Sequence, residues 1–375
     1  MDVDKLDPSM FPPGMDQDDM DDAIANYYYS CTQVTALCPV EATTLGYYPN
    51  RGINIFFAIG FAAATVTALV LGARKKTWSY TGFIAAGCAL ELAGYGARVP
   101  LTDNPWNKHA FETQIVAIIL APTLICISIY LTLKHVCLAL NPALSRVRPH
   151  LYPFIFVPLD VSCLLVQAIG GALAASAATT NFKMVQHGNR CIIAGIVLQV
   201  VVLSFFGASA GDYILRVKKW INSPEADPEA VALWRDKKFR MFMYAVTGAY
   251  SGILIRCLYR IAEMAGGWGN HIMQDEPSFI VLEGFMVLIP CILLAVFAPG
   301  YLFPQMAARM SAPGRVGLSR EKGGETEAEK QPHTEGLGGQ QQTTSGDESA
   351  LGEERTKEQP ASTAAVVEPN SRESA

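Results

Sequence analysis

The sequence has 375 residues, of which 50% are hydrophobic, with a mean hydropathy of +0.22 and a net charge of −5. A soluble chain of this size interleaves its charges with its apolar residues. Here residues 1–50 are acidic, 53–300 mostly apolar and 301–375 polar and almost free of aromatics, which excludes a pair of soluble domains and defines a membrane domain with two tails. The net charge averages unlike parts, and no nucleic-acid partner is expected from it.

Residues 1–50 are read as an acidic N-terminal tail. Its start, MDVDKLDPSMFPPGMDQDDMDD, has neither a basic region nor an apolar run, so the first apolar helix is expected to act as the insertion signal. Tyr27, Tyr28, Tyr29, Cys31 and Cys38 follow. Outside the cell the two cysteines can close a small disulfide loop; the alternative is two free thiols in a mobile tail. Most of the other cysteines lie in apolar segments, as small buried thiols do, and none has metal-ligand spacing, so neither a metal site nor a cofactor is expected.

Seven apolar segments come next, at 53–73, 79–99, 113–138, 152–176, 190–215, 240–263 and 279–300. Each is near the ~20 residues that span a bilayer. The fold class is therefore all-α, a polytopic membrane protein with seven transmembrane helices over residues 51–303. The connections fix its expected orientation. Arg74, Lys75 and Lys76 lie in the first, Lys134, Arg146 and Arg148 around the third, and Arg216, Lys218, Lys219, Arg235, Lys237, Lys238 and Arg240 around the fifth. The alternate connections hold little beyond Lys108, Lys183 and Arg190. The excess of Lys and Arg puts the odd connections and the C-terminus in the cytoplasm and the N-terminus outside.

Pro122, Pro158 and Pro290 fall inside segments three, four and seven, where neighbours must satisfy the backbone groups that they free. Gly248 and Gly252 form a GxxxG in segment six, and Gly170-Gly171 mark segment four, as tight helix contacts do. Residues 304–375, rich in Gly, Glu, Gln, Thr and Ser with no periodic apolar face, are expected to be a disordered cytoplasmic tail.

The chemistry lies in the polar residues of these segments, above all in RCLYRIAEMAGGWGNHIMQDEPSFIVLEG, residues 256–284. Arg256, Arg260 and Glu263 share one helical face by their spacing. A glycine-rich loop follows, then Asp275 and Glu276, and Glu283 in the last segment. Segment two carries Glu91 and Arg98 on one face, segment four Asp160 and Gln167, and segment five Gln199. Each ionisable group at membrane depth costs about 2.5–3.5 kcal/mol on insertion scales, so such groups face one another or a polar cavity. With the N-terminus outside, Glu91, Arg98, Arg256, Arg260, Glu263 and Glu283 converge on the outer half. Asp160 lies deeper, and Gln167 and Gln199 near the middle. Two readings stand: a structural ion-pair network that fixes helix order, and a polar site open to the outer leaflet that holds a charged or zwitterionic amphiphile.

These residues resemble the fungal RTA-like, lipid-translocating exporter family over about residues 47–303. Tyr48-Pro49 with Asn54 and Phe57 looks like the family's approach to its first helix. Glu91, Gly94, Tyr95 and Arg98 match its E-x-x-G-Y-x-x-R; Gln114, Pro122 and Tyr130 fall as in its third helix; and Asp160-Val-Ser with Gln167 to Gly171 falls as in its fourth. Gly195 and Gln199 fit the fifth, and Arg256, Tyr259, Arg260 and Glu263 match its R-x-x-[FY]-R-x-x-E. The chain departs from the family with Asp275-Glu276 in place of His-Glu, Glu283 in place of Asp, and Ala298-Pro299-Gly300 in place of His-Pro-Gly. Porphyrin contact through those histidines is therefore not implied here. The resemblance implies seven helices, an outside N-terminus, and export of amphiphilic lipids such as sphingoid long-chain bases or of sterol-like toxic compounds, in lipid homeostasis or resistance. It points to the plasma membrane, with the vacuolar or endosomal membrane as the alternative.

The competing reading is a seven-helix receptor-like sensor of lipids or stress, with a cytoplasmic partner on the basic connection 217–239. The plainer role of that connection is topological anchoring and attraction to anionic membrane lipids. An enzyme is not expected: the six histidines show no H-x-x-x-H pairing for zinc, and there is no Walker A pattern for direct ATP coupling. The seventh segment has no lysine for a retinal Schiff base.

Overall fold

A computed structural model describes residues 23, 27, 28, 30–177, 182–266 and 269–303. All belong to the compact unit of residues 1–320, and the unit of residues 321–375 lies outside them. The acidic run before residue 23, Tyr29, Gly267, Trp268 and the tail expected from 304 onward are also outside the described residues.

The described residues are nearly all helical, with β pairing among them limited to a bridge between Thr35 and Cys38. The helices are α1 (Arg51–Lys75), α2 (Trp78–Asp103), α3 (Lys108–Leu140), α4 (Leu151–Ala177), α5 (Phe182–Ile221), a short α6 (Pro228–Arg235), α7 (Lys237–Ala265), α8 (Glu276–Val296) and a single turn α9 (Pro299–Leu302). Local chemistry sets their starts. Asn50, Asn107 and Asp236 accept the N–H groups of Ile53, Ala110 and Lys238, as N-cap side chains do. The basic connection expected over 217–239 contains α6, which begins with Asp227 as cap and Pro228 as first residue. Residues 279–285 of α8 wind as a π-helix rather than an α-helix. The last expected segment, 279–300, is thus helical only to Val296 before the chain breaks ahead of Pro299.

Six of these helices, α1, α3, α4, α5, α7 and α8, are long and apolar enough to cross a membrane, which makes the chain an integral membrane protein. The expected second segment is a helix of the right length but falls outside these six. Glu91, Arg98 and several glycine, tyrosine and threonine residues dilute its apolar character. It packs along both α1 and α3, with Glu91 and Arg98 on its buried face.

The helices close a ring in which α1, α2, α3, α4, α5, α7 and α8 each touch the next, and α8 returns to α1. α3 also touches α7 across the interior. Polarity is inverted relative to a soluble core: Phe154 and Phe205 are 76% and 70% exposed, whereas Arg98 and Glu283 are each 1% exposed. Lipid solvates the first pair, and the bundle must satisfy the second.

Close helix contacts rest on some of the expected glycines. A Cβ on Gly170 would stand 2.7 Å from the Gly188 carbonyl oxygen, and one on Gly188 would stand 2.6 Å from that of Gly170, so α4 and α5 meet backbone to backbone there. Gly171 faces open space. Gly252 abuts Pro290 and the Met286 carbonyl on α8, whereas Gly248 has only ordinary contact with Leu293. Gly188→Leu is expected to destabilise the protein by at least about 1–3 kcal/mol through overpacking. Gly171→Leu should be near neutral; chemical unfolding of both variants in mild detergent checks this contrast.

Residues 30–50 fold back as a strap across the end of the bundle where α2, α7 and the α8 start meet. A disulfide joins Cys31 to Cys38. Asn104 donates to the Thr32 carbonyl at 2.8 Å, Trp106 Nε1 donates to the Cys38 carbonyl at 3.2 Å, and Tyr28 stacks on Trp106. At the strap's end the Asn50 N–H donates to Glu276 Oε1 at 2.6 Å. Arg74, Lys75, Lys76, Arg146, Arg148 and the basic residues within 216–219 and 235–240 lie at the opposite end.

Candidate functional site

Beneath the strap, α2, α3, α7 and α8 bring six of the expected site residues together. On α2, Glu91, Tyr95 and Arg98 lie along one inward face, all buried to within 1% exposure. On α7, Arg256, Arg260 and Glu263 face the same interior, and Glu283 enters it from the π segment of α8. A π turn widens the helix locally and re-aims side chains, which is why such turns recur at functional sites.

Arg256 is the joint of the set. Its Nε and Nη2 donate to Glu283 Oε1 at 3.0 and 2.6 Å, and Nη2 also donates to the Ile118 carbonyl at 2.7 Å, which ties α7 to α8 and α3. Arg260 Nη1 donates to Glu263 Oε2 at 2.6 Å on its own helix. The Glu263 carbonyl in turn accepts from the Asn270 side chain in the following loop. Arg98 is held differently. Its Nη2 donates to the Tyr47 hydroxyl of the strap at 2.5 Å, and its guanidinium carbon lies 4.0 Å from the centre of the Phe279 ring.

Arg98, Gln114, Arg260, Glu263, Phe279 and Leu45 line a cavity of about 20 Å³. That is room for about one water molecule. The polar atoms around it are unusually short of partners. Among the described residues Arg98 Nη1, Gln114 Oε1 and Arg260 Nε have none, nor do Glu91 Oε1, Tyr95 Oη, Tyr259 Oη and Glu283 Oε2 nearby. Buried polar atoms are nearly always paired, so this concentration marks a place for water or a polar ligand group. Burial raises the Tyr47 phenol, against the opposing pull of Arg98, so at neutral pH the hydroxyl keeps its proton while it accepts from Arg98.

Asp160, Gln167 and Gln199 are not part of this set. Tyr130 Oη donates to Asp160 Oδ2 at 2.6 Å, with Asp160 Oδ1 left without a partner. Gln167 Nε2 donates to Gln199 Oε1 at 3.1 Å, and Gln199 Nε2 donates to Thr123 Oγ1 at 3.2 Å. This second polar group links α3, α4 and α5 on the other side of the ring. Tyr47, Gln114, Phe279, Tyr130 and Thr123 belong to the two groups without having been candidate site residues. Gln114, an amide in an apolar run, was visible in the sequence; Tyr47 depends on the strap folding back. No cluster of three or more His, Cys, Asp or Glu residues with metal-binding geometry occurs among the described residues.

The fold and its polar interior define a polytopic helical membrane protein with a strapped polar site. The chain belongs to the RTA1-like protein family, whose family model matches residues 84–306. This is the expected family, matched over α2 onward rather than from residue 47. Two curated relatives span more of the chain and a third slightly less. The sphingoid long-chain base transporter RSB1 of Saccharomyces cerevisiae is 28% identical over 297 residues, 72% of this chain and 77% of the relative. Protein RTA1 of the same organism is 24% identical over 278 residues, covering 67% and 83%. Its protoporphyrin uptake protein 1 is 25% identical over 213 residues, covering 56% and 65%. No solved structure matches the chain.

Proposed function

We propose that this protein translocates amphiphilic lipids, sphingoid long-chain bases or sterol-like toxic compounds among them, across the plasma membrane, without acting as an enzyme. The reading takes seven spanning helices in residues 51–303, with α2 as the seventh, an extracellular N-terminal region 1–50 and a cytoplasmic tail 304–375. The separation of the basic residues from the strapped end supports that orientation. The observation that carries the function is the group of buried guanidinium, amide and hydroxyl atoms left without partners beneath the strap, in a family with a relative named as a lipid-base transporter. In this reading Glu263 and the unpartnered Glu91 and Glu283 oxygens hold the ammonium of a base, Arg98 and Arg260 donate to its hydroxyl oxygens, and the apolar chain lies among the helices. Asp160, Gln167 and Gln199 form a second polar step on the path.

The test is efflux of labelled sphinganine from cells with and without the protein. Faster efflux is expected with it. Arg260→Ala/Glu263→Ala at equal surface level should return efflux to the rate of cells lacking the protein. Equal efflux with and without the protein, for sphinganine and for a sterol amine, would overturn the transport reading.

A further inference from the structure

Building on the reading of the strapped cavity as a lipid site, we propose that its outer end is an oxyanion site, formed by Arg98 and Arg260, that takes the phosphate or carboxylate group of an amphiphile. Arg98 is the decisive residue. It is 1% exposed, yet among the described residues no carboxylate lies within ion-pair distance of it. Its one hydrogen bond goes to a neutral hydroxyl, and its Nη1 has no acceptor. Arg256 and Arg260, 3% and 6% exposed, each hold a glutamate. A buried guanidinium without a counter-charge is costly, and an anion in the cavity removes that cost.

A second donor faces the same space. Arg260 lines the cavity and its Nε is also without an acceptor. Two guanidinium groups that converge with free N–H donors suit the oxygens of phosphate or carboxylate, which accept charge-assisted bonds from several directions. The other groups at the cavity fit this reading. Glu263 is held by Arg260 Nη1, and Glu276, near Tyr47, accepts from the Asn50 N–H. The unpartnered Gln114 Oε1 is an acceptor for a ligand hydroxyl. Phe279 covers one face of Arg98 and leaves its edge to the cavity.

The cavity is too small for a phosphate group while the strap is in place. Tyr47 explains how both states exist. Its hydroxyl sits 2.5 Å from Arg98 Nη2, on a donor that a ligand oxygen would use. Tyr47 is thus a built-in competitor, and the ligand displaces it as the strap lifts.

The experiment uses the full-length protein in neutral detergent and four probes: dioctanoyl phosphatidate, dioctanoylglycerol, inorganic phosphate and sphinganine. Saturable binding of phosphatidate without comparable binding of dioctanoylglycerol is expected. Arg98→Gln and Arg260→Gln should each weaken it by about tenfold or more, as loss of a charge-assisted bond does. Tyr47→Phe should tighten it. Competition by inorganic phosphate at similar concentration would assign the site to a free anion, and its failure to compete would assign it to a lipid headgroup; both support an oxyanion site. Equal binding of phosphatidate and dioctanoylglycerol, or unchanged affinity in folded Arg98→Gln and Arg260→Gln, overturns the proposal. So does unchanged affinity in Tyr47→Phe if neither arginine variant folds. Sphinganine efflux that persists without phosphatidate binding overturns this inference alone. Phosphatidate binding without sphinganine efflux overturns the sphingoid-base reading and leaves the oxyanion site standing.

Discussion

Glu283→Ala is expected to cost about 3–5 kcal/mol of stability, because it leaves the Arg256 charge buried with one backbone carbonyl as its partner. The size of the effect follows from the position of the pair: both side chains are nearly inaccessible, and Arg256 is the point where α3, α7 and α8 are tied together. Replacing both partners separates the structural role from the functional one. Arg256→Met/Glu283→Leu removes the charges together and keeps the volume, so its stability should return close to that of the parent. Sphinganine efflux should stay low if the pair belongs to the transport path. Unfolding in detergent and efflux at matched surface level measure the two quantities separately. A Glu283→Ala variant as stable as the parent would show that water reaches Arg256.

The second large effect is expected from the strap. Cys31→Ser/Cys38→Ser opens a loop of seven residues' separation. In the chain-entropy account, closing so short a loop is worth about 2.5 kcal/mol, or about 50-fold or more in local opening. Amide hydrogen exchange over residues 32–47 should accelerate by that order while the amides of α3 and α7 keep their rates. The hydrogen bonds from Asn104 and Trp106 to the strap remain in the variant. Unchanged exchange would show that these contacts and the Tyr47–Arg98 bond hold the strap without the disulfide.

Which parts of this arrangement could be read from the chain follows from the range of the interactions. Helix faces are local, so the common face of Arg256, Arg260 and Glu263, and of Glu91 and Arg98, follows from spacing alone. Pairing is not local. That Glu283 meets Arg256 rather than Arg98 depends on the π segment of residues 279–285, which no spacing rule announces. Tyr47 lies ahead of the first apolar segment and reaches Arg98 through a fold-back of the strap, so nothing in its own neighbourhood marks it. α2 is a different case: the charges on its buried face make it weakly apolar, so one property both marks the site and obscures the span. Asp160 stands apart because its partner Tyr130 is on α3 and faces α4, away from the arginines.

The closure of the ring by α8 against α1 has a consequence for synthesis. Ribosomes deliver α7, with Arg256, before they deliver Glu283, so a nascent chain carries the Arg256 charge without its carboxylate until α8 arrives. The early helices must therefore wait beside the insertion machinery or against one another. Chains truncated before α8 lack the carboxylate that Arg256 requires and the helix that seals the ring, which makes them natural substrates for membrane quality control.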